Sequence, residues 1–188
     1  MQGQTSSYVL TTLQAAPSSA MLTTLANVKD ELSITDATHD AFLTRAITQA
    51  SALIARYCNR VFGVATWQDE FRPQRGVSGE GVRAANNPLT LARWPLVSVT
   101  SVVETVAGVP TPLVAGTDFE IDQGSLLPGD EGASRLYRLN EIGNPRTWPA
   151  AQIVVVYHAG YALPNDTDPN MPADLEDATL RLVTGRFR

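Results

Sequence analysis

The residues of this chain best equipped for chemistry are two histidines, one cysteine and a handful of spaced carboxylates. His39, Cys58 and His158 carry the donors that zinc prefers, but their spacings match no ligand pattern, and a fourth ligand would have to come from a distant Asp or Glu. In "NDTDPNMP", Asp166, Asp168 and Asn170 match the D-x-[DN]-x-[DN] opening of a calcium loop. The next position needs Gly for its sharp turn and is Met171; the twelfth needs Glu and is Asp177. The stretch reads better as a turn leading into a helix at Pro172. "GVSGEG" at 76–81 is Gly-rich but lacks the Lys-Ser/Thr of a phosphate loop, so it reads as a loop tip. Glu120 and Asp122 share one side of a strand, as a solvated strand face would, and Asp69/Glu70 make no better pair. Glycosidase chemistry needs two carboxylates facing across a cleft. No G-x-S-x-G, H-E-x-x-H or Walker loop occurs. The expectation is a protein without catalytic residues, metal or cofactor. The enzyme alternative is a small hydrolase built on the β-rich region.

The elements that would position these groups follow from hydrophobic period. In "TTLANVKDELSI", Thr24 caps a short helix whose Leu25, Val28 and Leu32 face inward. "AFLTRAITQASALIARYCNRVF" is the strongest helical segment. Phe42, Leu43, Ala46, Ile47, Ala50, Leu53, Ile54 and Tyr57 recur at three- and four-residue spacings and form one apolar stripe. Ala41, Ala52 and Ala55 lie off it; small residues there let a second surface approach closely, either a helix of the same subunit or a neighbour, which makes them candidate interface residues.

From about residue 64 the period changes. "VATWQDEF", "LTLARW", "PLVSVTSVVE", "TDFEID", "SRLYRL" and "QIVVVYHAGY" read as strands, mostly separated by Gly, Pro and Asn. Val97, Val99 and Val103 are expected on one face and Val102 on the other, with burial partly two-sided. In the last strand apolar residues fall on both faces, so cover on both sides is expected, with His158 at its end before Gly160 turns the chain. "RPQRGVSGEGVRAANNP" and "LPGDEGA" read as exposed loops. "MPADLEDATLRLVTGRFR" closes the sequence as a helix entered through Pro172, acidic at its start and basic at its end. Leu175, Ala178 and Leu182 make one stripe, Leu180, Val183 and Phe187 a second. Two apolar flanks call for two packing partners.

The expected fold class is α+β. A small helical bundle, from helices near 24–32, 40–58 and 172–187, packs with a mainly antiparallel sheet inserted between the second and last helices. Residues 1–20 form an arm in which "SYVLTTL" supplies a strand to its own or a neighbour's sheet. Residues 21–188 form one domain, helical over 21–62, β-rich over 63–161, and helical again over 172–188.

Bulk composition narrows the partners. A net charge of −5 argues against binding nucleic acid by phosphate neutralisation. One cysteine permits no internal disulfide and fits a cytoplasmic folding environment. No apolar run reaches the ~18 residues of a membrane helix, and the N-terminus makes a poor signal peptide.

The order of the pieces is more informative than any one of them. "LTTLANVKDELSITDATHDAFLTRAITQASALIARYCNRVF", then "TWQDEF", "LTLARWPLVSVTSVV", "DFEID", "SRLYRL", "IVVVYHAGY" and "MPADLEDATLRLV", resembles the head-tail connector (adaptor) family of long-tailed bacteriophages and of phage-derived gene transfer particles, over about residues 21–184. The departures are Gly185 in the last helix and the lack of the family's extension after Arg188. The resemblance implies a structural virion protein assembled in the bacterial cytoplasm. It implies a homo-oligomeric ring, typically of twelve subunits, docked on the portal protein at the capsid vertex. The ring would extend the DNA channel, let DNA pass without specific binding, and offer a platform to a tail-side stopper or terminator protein. The last helix, through Leu180, Val183, Arg186 and Phe187, is the candidate portal contact, and the 73–87 loop a second one. Another neck or tail structural component is the alternative.

Overall fold

The computed structural model describes residues 8–72, 88–123, 134–148 and 152–187. Contacts divide the chain into two compact units, Met1–Ala15 with Thr66–Ala159 and Ala16–Ala65 with Gly160–Arg188.

The second unit is helical, built from α1 (Leu25–Leu32), α2 (Asp40–Tyr57) and α3 (Ala173–Phe187). Thr24 caps α1 as expected: its side chain accepts a hydrogen bond from Asn27 N at 3.1 Å. Ser33, in the left-handed conformation, ends the helix by donating its N–H to the carbonyls of Lys29 and Asp30. Lys29 Nζ meets Asp40 Oδ1 at 2.8 Å and ties α1 to the start of α2. The three helices close over Val28, Leu43, Ala46, Ile47, Ala50 and Val183. A second cluster gathers Leu22, Phe62 and Leu163. Beside it, Ser51 Oγ accepts from Leu22 N at 3.0 Å, which satisfies a buried amide at the entry to the bundle.

The stripe on α2 is narrower than its sequence suggests. Phe42 and Leu53 are 38% and 47% exposed, and Tyr57 is 90% exposed. At roughly 100° per residue, Phe42 and Leu53 fall on the flank of an arc centred between Leu43 and Ala50, and Tyr57 lies in the last turn.

The first unit holds two sheets. One is five-stranded, in the order β1 (Tyr8–Ala15), β2 (Ala65–Arg72), β9 (Gln152–Ala159), β4 (Leu96–Val106) and β5 (Val109–Leu113). The other is ordered β3 (Leu89–Thr90), β7 (Arg135–Leu139) and β6 (Phe119–Asp122), with β8 (Pro145–Arg146) also paired to β7. The pairs β1–β2, β4–β5, β4–β9, β3–β7, β6–β7 and β7–β8 are all antiparallel. This is an α+β fold. The sheet strands lie between the second and last helices in sequence, except β1, which precedes α1 and pairs with β2.

Three expectations change in the sheets. In β9, Ile153, Val155 and Tyr157 are fully buried, but Val154, Val156 and His158 are only half-buried, so one face is covered and the other partly so. In β4 the buried face carries Val102 and Glu104, whereas Val97 is exposed and Val99 and Val103 are half-buried. Irregularities in the β4–β9 register between Leu96 and Ser98 and between Val99 and Ser101 break the alternation that would have put the valines inside. β5 was not expected at all. Its "VPTPL" sequence contains two prolines, each without an amide to donate, which suits an edge strand.

The covered face of β2, β9 and β4 contains a carboxylate with no solvent exposure, Asp69. Its Oδ2 accepts from Tyr157 Oη at 2.9 Å and from Ala92 N at 2.8 Å. Tyr157 Oη in turn accepts from Arg93 N at 3.1 Å, and the Arg93 guanidinium lies 4.5 Å from the centroid of the Trp67 ring. This small network fastens the segment after β3 to the five-stranded sheet. A second buried pair, Arg138 Nε with Glu104 Oε1 at 3.5 Å, spans β7 and β4, and Arg138 Nη1 also donates to Asp118 O at 2.6 Å.

Burial, with the charge of Asp69 second, raises the Tyr157 hydroxyl well above the ordinary tyrosine value of 10.0. The neutral phenol is therefore favoured in the folded state. Its contribution is complete below the ordinary value and is lost as pH rises above it. Tyr157→Phe is expected to cost about 1–3 kcal/mol at neutral pH, because Asp69 loses a donor it cannot replace with water. Urea titrations at neutral pH and at pH values above the ordinary tyrosine value check this. The difference between wild type and variant should shrink as pH climbs, and a difference independent of pH would reject the assignment.

Candidate interaction surfaces

The groups singled out for chemistry are spent on structure or held apart. His39 precedes α2 and makes an edge-on contact with Phe187, ring centroids 5.2 Å apart. Cys58 is exposed at the other end of the same helix, about 28 Å away at 1.5 Å per residue. His158 Nδ1 lies 3.2 Å from Thr66 Oγ1. Among the described residues no cluster of His, Cys, Asp and Glu could hold a metal ion.

The calcium-like stretch is occupied by its own backbone. Asp166 Oδ2 accepts from Leu163 N at 2.7 Å and Asn170 Oδ1 from Ala162 N at 2.8 Å, so the carboxylate and amide build the turn before α3. Glu120 and Asp122 are exposed on β6. Asp69 and Glu70, by contrast, are both buried. Glu70 accepts from Arg72 Nε and from Gln152 Nε2. Apart from Arg72, their partners lie far along the chain, which is why local spacing gave no signal. "GVSGEG" at 76–81, the 73–87 segment and "LPGDEGA" lie outside the described residues. No helix among the described residues is long and apolar enough to cross a membrane.

What remains is surface. On α3, Val183 has no exposure and belongs to the helical core, with Leu180 and Phe187 packed against it. Of the four portal-contact candidates, Leu180, Val183 and Phe187 thus hold the helix in place. Arg186 is exposed, and its Nη1 donates to Gln49 Oε1 on α2 at 3.0 Å. The outward flank of α3 carries Ala178, Gly185 and the 36% exposed Leu182. Between α1 and α3 two adjoining hollows of about 370 and 460 Å³ open, lined by Asn27, Asp30, Glu31, Asp177, Leu180 and Arg181 among others.

The other set of residues splits as well. Ala41 and Ala52 are exposed on the outer face of α2, together with Arg45 and Arg56, while Ala55 is half-buried against the Leu22–Phe62–Leu163 cluster. Ala52 and Ala55 also line a shallow hollow with Ser18, Met21 and Ser51. Phe42 and Leu53 are exposed on the flank beside this face, with Phe42 also against the Phe187 ring at 6.0 Å, and the helix carries no acidic residue from Ala41 to Tyr57. The sequence did hold a signal for this face. Ala41, Arg45, Ala52 and Arg56 recur at intervals of four, seven and four, which is one side of a helix.

Set against known proteins, the sequence model of the phage gp6-like head-tail connector protein family matches residues 22–84, the stretch that contains α1, α2 and β2. Two solved structures share the fold. A chain in the neck of an empty gene transfer agent (GTA) particle, computed with C6 symmetry, covers 95% of this chain and 83% of its own length, at 16% identity and a TM-score of 0.55. A chain in the virion of a native GTA particle covers 95% and 84%, at 20% identity and a TM-score of 0.52. No curated protein sequence matches the chain. The chain is thus similar to head-tail connectors in sequence over residues 22–84, and in fold to chains of GTA particles over nearly its whole length.

The placement of α3 separates packing from contact by experiment. Val183→Ala is expected to lower stability by about 2 kcal/mol, since it opens a cavity in the helical core. Arg186→Ala, on the surface, should change it by less than about 0.5 kcal/mol. Thermal and urea unfolding of both variants check the contrast.

Proposed function

We propose that the protein is a structural adaptor in the neck of a phage or phage-like particle, with no enzymatic activity. The observation that carries this reading is the family match on α1, α2 and β2, joined to a fold shared along the chain with a protein of a GTA particle neck. The chemistry supports it: Asp166 and Asn170 build a turn, and His39 and Cys58 lie at opposite ends of α2, as they would in a part whose work is done by its surfaces.

In this reading copies of the chain form a ring, of twelve subunits by resemblance, docked on the portal protein at the capsid vertex. The ring continues the DNA channel and presents its far side to a stopper or terminator protein. The net charge of −5 suits a channel that DNA must traverse without sticking, because the chain as a whole repels phosphates rather than neutralising them. The last helix faces the portal through Arg186 and Leu182, with Val183 and Phe187 holding it against the bundle, and the 73–87 segment supplies a second contact. Ala41 and Ala52 belong to the contact between neighbours.

Deleting the gene from a particle-producing strain is expected to leave DNA-filled heads without tails, restored by supplying the full chain. Imaging of purified particles and their infectivity or transfer titre check this. Normal tailed particles in the deletion strain would overturn the proposal.

A further inference from the structure

A closed ring other than a dimer is built head to tail: each subunit shows its neighbours two different faces that fit each other. The helical unit has two such faces. One is the outer side of α2, where Arg45 and Arg56 stand about three turns apart with the exposed Leu53 on the adjoining flank and no carboxylate among them. Arginine and aromatic side chains are the residues that contribute most at protein contacts. The other is the groove between α1 and α3, apolar at its floor through Leu180; its walls carry Asp30, Glu31, Glu176 and Asp177 against one cation, Arg181, which pairs with Asp177 at 2.8 Å, so they are acidic on balance. α1, α2 and α3 share one core. The outer side of α2 and the groove between the other two helices therefore look in opposite directions, as a head-to-tail contact requires.

We infer that the α2 face of one subunit seats in the α1–α3 groove of the next copy of this chain. This rests on the ring reading above and adds the surfaces through which the ring closes. Ala41 and Ala52 keep the helix low enough to enter the groove. Arg45 and Arg56 meet the carboxylates of its walls, and Leu53, on the adjoining flank, loses exposure against its apolar floor. Opposite charge on the two faces also sets direction, because two α2 faces repel and two grooves repel.

Two charge reversals test the inference in the deletion strain. Arg45→Glu with Arg56→Glu reverses the face; Asp30→Arg with Glu31→Arg reverses the groove. All four positions are exposed, and matching melting curves of the purified chains verify folding. Each double variant alone is expected to lower the yield of tailed particles by about tenfold or more. Supplying both variants together should restore the yield, since a reversed face then meets a reversed groove. A single chain carrying all four changes should restore it without help. Wild-type yield from either double variant alone, or no recovery in the mixture and in the fourfold variant, would overturn the pairing of these faces while leaving the adaptor reading intact. A deletion strain with normal tails would instead remove the ring reading and this inference with it.

Discussion

The sheet unit depends on one buried carboxylate. Asp69 sits on β2 with no exposure and is bonded to Tyr157 on β9, the middle strand of its sheet, and to the backbone at Ala92. A charge or a proton there without donors would cost several kcal/mol. The segment after β3 therefore cannot drift from the sheet without exposing or orphaning this group. The Arg138–Glu104 pair repeats the device between β7 and β4. A mainly antiparallel assembly of short strands thus gains unique positions from polar groups that tolerate few alternatives, in addition to its apolar contacts.

The helical unit relies on closeness. A Cβ on Gly160, whose φ is +135°, would lie 2.3 Å from Gly63 O, so only glycine fits where the two segments bridge at Gly63 and Tyr161. Beside it the Arg60 guanidinium lies over both the Phe62 and Tyr161 rings, at 5.4 and 5.3 Å. α1 and α2 reach the unit from one part of the chain and α3 from another, and the Val183 side chain joins them in one core.

The helices were legible in sequence because their signals are local: caps, period and end charges fall within a few residues of one another. The strand runs were legible as runs, but their inward faces in β4 were not, since register irregularities follow from pairing with β9. Proline-bearing β5 was hidden because proline argues against a strand wherever its edge position is unknown. Of the two stripes on α3, period identified both but not which one is interior; only packing against α2 decides that. The Asp69 network was invisible for the same reason, since its members are 23 to 88 residues apart in sequence. The likeness to head-tail connectors was legible in the order of the elements rather than in any reactive group; Asp166 and Asn170, for instance, bond backbone amides in the turn before α3.

The two prolines of β5 have a further meaning for any assembly that holds copies of a sheet protein side by side. Tethered neighbours experience one another at effective concentrations of order millimolar, and a bare strand edge at that density is a seed for runaway polymerisation. At Pro110 and Pro112 the backbone offers no amide to an incoming strand. Growth by strand addition is discouraged at that margin of the five-stranded sheet, so crowding can be used to build a closed object without also starting a fibre.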